Sequence, residues 1–271
     1  MKRIIYRLAS AIAPIMACAS PLAAQLQMSG QRLQDDVFVI SGYKNGNILV
    51  VRSADGLLLV DAQSARRVPE ADSVLRTLVG ALPVRWIVNT HYHSDHVGGN
   101  GFFRTRGARV IAHTSVAVEA AKDTTVRTRD GRDWHRTPEP AGNMPDSLFT
   151  DSLHLRFGSH TVLIHHPIDA HTNSDAMIWI PSLNVLHAGD IVEINDPPFI
   201  DWWTRGTLEG MLRAVDWAIA RTNATTRIVP GHGPVIDRAE LQRYREQLIQ
   251  AGRTCPVAPS APTAYACRHF D

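Results

Sequence analysis

The chain has 271 residues, of which 44% are apolar and 20% charged, and it carries a net charge of +2. That length and composition suit one large or two small globular domains with a core of their own. A balance so near neutrality gives no electrostatic ground for a nucleic-acid partner. The one basic cluster, Arg127, Arg129, Arg132 and Arg136, is interspersed with Asp123, Asp130 and Asp133 and reads as a solvated face.

Residues 1–24 have the make-up of an export signal. Lys2, Arg3 and Arg7 precede an apolar stretch from Leu8 to Ala19, too short to span a bilayer, and small residues then offer cleavage near Ala24. Leu22 sits where a small residue is preferred, and Ile15-Met16-Ala17-Cys18 faintly resembles a lipoprotein box, so a retained anchor or lipid tether is the alternative. The expectation is a periplasmic or secreted protein without stable membrane insertion after cleavage. Cys255 and Cys267 then remain, an even pair that suggests a disulfide pinning the tail 253–271; two free thiols are the other reading.

The main domain is expected over residues 30–252. Val37–Ile40, Ile48–Val51 and Leu57–Val60 read as an antiparallel meander, with turns at Asn45-Gly46-Asn47 and Asp55-Gly56. Pro69 opens a helix in which Val74, Leu75, Leu78 and Val79 keep 3–4 spacing. Val84–Val88 is a buried strand whose end delivers His91. Arg109–Ala112 is a strand and 114–122 a helix. Residues 123–147 show no period and read as a long loop of the kind that often serves as a lid. Strands follow at Leu153–Phe157, Thr161–His165, Ala176–Ile180, Val185–Ala188 and Arg227–Val229, with helices at Thr207–Ala220 and 237–250. Strands in an early and a late group, with helices after each, predict two sheets with helices outside them.

The stretch HYHSDHVGGN at 91–100 concentrates metal-binding side chains. In an extended chain His91 and His93 point the same way. Asp95 and His96 follow as the chain turns, and Gly98 and Gly99 let backbones approach closely. Imidazole and carboxylate donors suit Zn²⁺. Three further candidates, His171, Asp190 and His232, each lie at a strand-to-loop boundary beside glycine or a small residue, where ligands tend to converge. His165, His166 and His187 neighbour them in sequence and are candidates to support the site. Asp175 either orients a ligand or caps a turn. Tyr92, Phe199, Trp202 and Trp203 either wall a substrate groove or fill the core.

His91-X-His93-X-Asp95-His96, followed by His171, Asp190 and His232 in order, resembles the ligand pattern of the metallo-β-lactamase-fold hydrolase superfamily, over residues 37 to 250. The resemblance implies an α/β fold, a four-layer αββα sandwich with a dinuclear zinc site at one edge. His91, His93 and His171 would hold one zinc, and Asp95, His96 and His232 the other, with Asp190 bridging. It also implies a hydrolase in which water ionised by two zincs is the nucleophile and Asp95 orients it and shuttles its proton. Iron or manganese are alternatives to zinc.

The expected substrate is a small molecule with an ester, thioester, lactone or lactam-type bond. Relatives dedicated to β-lactams usually carry Cys or Ser where this chain has Asp190, so a dedicated or promiscuous periplasmic β-lactamase is the alternative. A mono-iron persulfide-type oxidoreductase and a non-catalytic zinc-binding protein are readings of other classes. The sequence leaves the oligomeric state open.

Overall fold

The computed structural model describes residues 27–42, 45–127, 132–194 and 198–254. Strands β1 (Ser29–Gln34), β2 (Val37–Gly42), β3 (Asn45–Ser53) and β4 (Gly56–Val60) pair antiparallel in succession. Helix α1 (Val68–Val79) leads to β5 (Val84–Val88). Two short helices, α2 (Ser94–Val97) and α3 (Asn100–Arg104), precede β6 (Arg109–His113) and α4 (Thr114–Ala120). A hairpin of β7 (Thr124–Arg127) and β8 (Asp133–Arg136) follows, then β9 (Ser147–Phe149). The first sheet has seven strands in the order β1-β2-β3-β4-β5-β6-β9, parallel from β4 onward.

The second half comprises β10 (Ser152–Phe157), β11 (His160–His165), β12 (Met177–Ile180), β13 (Val185–Glu193), α5 (Leu208–Arg221), β14 (Arg227–His232) and α6 (Arg238–Thr254). Its five strands lie in sequence order, and only the last pair, β13 with β14, is parallel.

Inner strands are apolar on both faces because both faces are covered, and alternate residues go to opposite sides. Val37, Val39, Leu49, Val51, Leu58 and Val60 meet Phe157, Val162, Ile164 and Ile178 of the second sheet in the central core. Their alternates Phe38, Ile40, Ile48, Val50, Leu57 and Leu59 pack outward on Ala71 and Leu75 of α1 and Phe103 of α3. The second sheet turns Met177, Leu186 and Ile228 toward Met211, Val215, Leu241 and Leu248 of α5 and α6. The expected αββα sandwich is therefore the observed one. Truncating a fully buried residue such as Leu58 to Ala would cost about 2–5 kcal/mol.

The helices form for local reasons as well. Pro69 lies in the first turn of α1 with Glu70 beside it, where a proline lacks no bond and an acid faces the positive helix end. Thr207 caps α5, its side chain accepting from Gly210 N at 3.0 Å. Among the described residues no helix is long and apolar enough to cross a membrane.

Two expectations need correction. Asn45-Gly46-Asn47 is not a turn but the start of β3. Asn47 Nδ2 donates to Pro230 O and Gly233 O, both at 2.9 Å, which ties the first sheet to the loop carrying His232. Residues 123–147 are not structureless: they hold the β7–β8 hairpin, a 3-10 turn at Ala141–Asn143 and the first residue of β9. The hairpin exposes five of its eight strand residues, so it lacks the alternation that marks a half-buried strand. β1 was missed for the same reason, as an exposed edge strand of sequence SGQRLQ. The proposed signal segment, Cys18, Cys255 and Cys267 lie outside the described residues.

A candidate metal centre at the strand ends

The parallel strands β4, β5, β13 and β14 bring their C-terminal ends toward one edge of the sandwich, and the chemistry-bearing side chains collect there. His91 follows β5, Asp190 lies in β13, His232 ends β14, and His171 enters from the loop after β11. The dense stretch at 91–96 opens α2, with His93 as its extended N-terminal flanking residue. A Cβ on Gly99 would stand 1.9 Å from Ala62 O, so the backbone approach expected there is real.

All seven sequence candidates come together, in two groups. His91, His93, His171 and Asp190 present donor atoms within 4.8 Å of one another, and so do Asp95, His96 and His232. In the first group His91 Nε2 lies 2.9 Å and His171 Nε2 3.2 Å from His93 Nδ1. Asp190 spans the two groups. Its Oδ2 is 3.5 Å from His91 Nε2 and 3.4 Å from His232 Nε2, and its Oδ1 is 3.2 Å from His96 Nε2. Asp95 Oδ2 completes the second group, 3.2 Å from His232 Nε2.

In four of the five imidazoles, those of His91, His93, His96 and His171, the other nitrogen is already committed, which fixes the ring and leaves its inward nitrogen as the donor. His96 Nδ1 lies 2.8 Å from Asp61 Oδ2, His93 Nε2 3.2 Å from Asp201 Oδ2, and His171 Nδ1 2.7 Å from Phe199 O. His91 Nδ1 is 3.0 Å from Thr90 Oγ1, and Asp61 accepts both from that hydroxyl and from Thr90 N. Asp201 also accepts from the Tyr92 hydroxyl.

The electrostatics of the cluster describe a place that draws positive charge. Burial disfavours a proton on His91 and His171, and neighbouring imidazoles add to this; His91 falls well below the usual range and His171 to about 4. Burial opposes charge on His232 too, but Asp190 and Asp95 overcome it and raise it to about 10; Asp190, Asp95 and Asp61 raise His96 likewise. Despite their burial, Asp190 is held well below the ordinary carboxylate range by His96, His232 and His91, and Asp95 is held at about 2 by His96 and His232. Two carboxylates kept ionised among inward-facing imidazoles call for cations. His96 Nε2 and Asp190 Oδ1 are buried, 3.2 Å apart, and neither makes a hydrogen bond. Buried polar atoms without partners are costly, and a divalent ion between them would satisfy both. The donor set fits the group that the sequence implied.

Sequence reasoning missed Asp61, Thr90, Asp201 and the Phe199 carbonyl. Asp61 carried a signal, an acid directly after the apolar Leu57–Val60. It also missed Glu193, which groups with Asp190 and His232 and accepts from Phe199 N at 3.1 Å. Some supporting candidates are placed elsewhere. His165 stacks on Trp217 of α5, away from the cluster, because β11 turns that side chain outward. His166 stacks on His113. His187, by contrast, stays beside the cluster, buried in β13 within electrostatic reach of Asp61, His96 and Asp190, its Nδ1 accepting from Gly189 N at 3.1 Å. Asp175 is a turn cap, accepting from Thr172 N and Thr172 Oγ1 within the His171 loop. Tyr92, Phe199 and Trp203 line a cavity beside the cluster, and Trp202 is not among its lining residues.

A family model of the metallo-beta-lactamase superfamily matches residues 42–251. The chain is 27% identical over 214 residues to the "Metallo-beta-lactamase type 2" of Bacillus sp. (strain 170), across 74% of this chain and 73% of that one. It is 26% identical over 220 residues to the protein of the same name from Bacillus cereus, with the same coverage of 74% and 73%. Among solved structures, a metallo-beta-lactamase from Pontibacter korlensis superposes with a TM-score of 0.65 at 21% identity, over 82% of this chain and 99% of that one. The DIM-1 metallo-beta-lactamase superposes with a TM-score of 0.63 at 19% identity, over 83% and 98%. At those identities the solved structures speak for the fold alone.

Proposed function

The chain belongs to the metallo-beta-lactamase superfamily, and from that membership we propose an exported, zinc-dependent hydrolase with a dinuclear centre that cleaves an ester, thioester, lactone or lactam-type bond. The observation that carries this reading is Asp190, whose Oδ2 lies between the two groups of imidazole donors and whose Oδ1 faces His96 of the second. His91, His93 and His171 would hold one ion and Asp95, His96 and His232 the other, with Asp190 between them. Imidazole and carboxylate donors without thiolate favour zinc, and leave iron or manganese to be tested by metal analysis. Zinc bound there would lower the pKa of water toward neutrality and polarise the bond to be cleaved.

The chain's own groups do the rest. Asp95 is 31% exposed at its side chain and lines the cavity, whereas Asp190 is 5% exposed. Asp95 Oδ2 faces His96 and His232, leaving Oδ1 to accept the proton of the attacking water and return it to the leaving group. Asp61, Asp201 and the Phe199 carbonyl hold the imidazoles in place. Export is supported by the charged-then-apolar pattern of residues 1–24.

A second reading, hydrolysis of β-lactams, is favoured by the relatives, which are named metallo-beta-lactamases. Against it stands Asp190 itself, since an added carboxylate weakens the pull of both ions on an anionic substrate. Metal content by mass spectrometry, with a hydrolysis panel of β-lactams, lactones, thioesters and phosphodiesters, decides between them. Asp95→Asn and His93→Ala should each remove nearly all turnover while the circular-dichroism spectrum persists. Undiminished turnover in either refutes the mechanism.

A further inference from the structure

A cavity of about 650 Å³ opens beside His93 and Asp95. One wall is strand β8, with Trp134, His135 and Arg136, and the following Thr137. Trp134 stands on that otherwise polar ribbon with 43% of its surface exposed, too wet to serve the core. Its ring meets Trp203 edge-on at 6.1 Å, Trp203 meets Phe199 at 5.9 Å, and Phe199 lies 6.1 Å from His93. An unbroken aromatic surface thus runs from the hairpin to the candidate metal centre. The indole N–H of Trp203 is committed to the Tyr92 hydroxyl at 3.3 Å, so it is the faces and edges of these rings that remain for a ligand.

The charges along the cavity point the same way. Arg136 is the one arginine or lysine among its described lining residues. Its side chain is 9% exposed and already engaged, donating to the Tyr92 hydroxyl at 2.6 Å and to Glu119 Oε2 at 3.2 Å, with the guanidinium over the Tyr92 ring. Glu119 and Glu139 are the acids of the cavity outside the metal cluster. An anionic group entering here would lose water, meet two glutamates and find that guanidinium already paired. A flat, uncharged group would gain ring contacts on two or three sides.

We propose that this wall makes the site selective for uncharged esters, thioesters or lactones whose acyl part carries a flat apolar ring, with Trp134 as the specificity-determining residue. The proposal rests on the hydrolase reading above. It is tested on the metal-loaded protein with the 4-nitrophenyl esters of acetic, phenylacetic and 4-carboxyphenylacetic acids. The phenylacetyl ester should exceed the acetyl ester about tenfold in kcat/KM, through KM, and should exceed its carboxylate analogue by a similar factor. Trp134→Ala should collapse the first ratio toward one, and Trp134→Phe should keep most of it. A ratio that survives Trp134→Ala, or a carboxylate analogue cleaved as fast as the neutral ester, overturns the proposal and leaves the hydrolase standing. If no ester is cleaved, the hydrolase reading is decided by the wider panel of lactones, thioesters and β-lactams, and the wall is judged separately by binding of phenylacetic 4-nitroanilide, read by tryptophan quenching. A Kd about tenfold weaker in Trp134→Ala supports the proposal, and no binding or an unchanged Kd overturns it.

Discussion

Gly231 leaves vacant the space that the Asp190 carboxylate fills: a Cβ on residue 231 would stand 1.8 Å from Asp190 Oδ1. Asp190 faces both donor groups, so this glycine sets where they meet. Gly231→Ala should push the carboxylate aside and lower bound metal from the proposed two ions per chain toward one, with the sandwich intact. Mass spectrometry of the purified variant against the parent reads this directly. Equal stoichiometry would show that Asp190 has room to move.

Asp190→Ser tests the same carboxylate from its own side. Losing the bridging charge should change metal stoichiometry and raise turnover of β-lactams relative to esters, because an anionic substrate then meets a more positive centre. Unchanged metal content would take Asp190 off the ligand set.

Asp61 is 0% exposed and holds His96 Nδ1 at 2.8 Å while also accepting from Thr90. Asp61→Asn keeps the shape but removes the charge that orients His96. Metal affinity should fall roughly 10- to 100-fold, as such outer partners usually contribute that much. Competition with a chromogenic chelator measures it, and an affinity within twofold of the parent contradicts the role.

Arg136 and Glu119 form a buried pair, 9% and 5% exposed at their side chains. Removing one partner strands the other's charge, so Arg136→Met should lower unfolding free energy by about 3 kcal/mol. Lys122 and Asn173 also donate to Glu119 and soften the loss. Urea unfolding supplies the number, and a change below about 1 kcal/mol would mean the pair is wetter than its burial implies.

His113 stacks on His166 at 3.7 Å between ring centres, joining the end of β6 to the loop after β11. Burial first, then the neighbouring ring, lowers His113 to about 4; burial lowers His166 as well, with Asp151 and Asp169 opposing. Both are therefore neutral in the fold but titrate near 6.5 when unfolded. Their contribution is complete above about pH 6.5 and fades as the pH falls toward 4. The urea midpoint should drop across that window, and His113→Phe should flatten the drop. Comparing the variant with its parent separates this pair from the metal cluster, and parallel curves would rule the pair out.

The sequence by itself determined the fold class and which seven side chains the structure gathers at the strand ends. Doubly apolar runs such as Leu57–Val60 demand cover on both faces, and helical spacing over Val68–Val79 supplies one layer of it. Donor chemistry is likewise local, because an imidazole or carboxylate at a strand end declares itself by type and spacing. Elements without an apolar period stayed hidden, namely β1, the β7–β8 hairpin and the three-residue β9. Only the tertiary structure decided which groups serve those donors. Asp61 is 35 residues from His96 and Asp201 is 108 from His93, and the Phe199 carbonyl is backbone that any residue would supply. Whether a carboxylate orients a ligand or caps a turn depends on which strand packs beside it, and that follows from long-range packing.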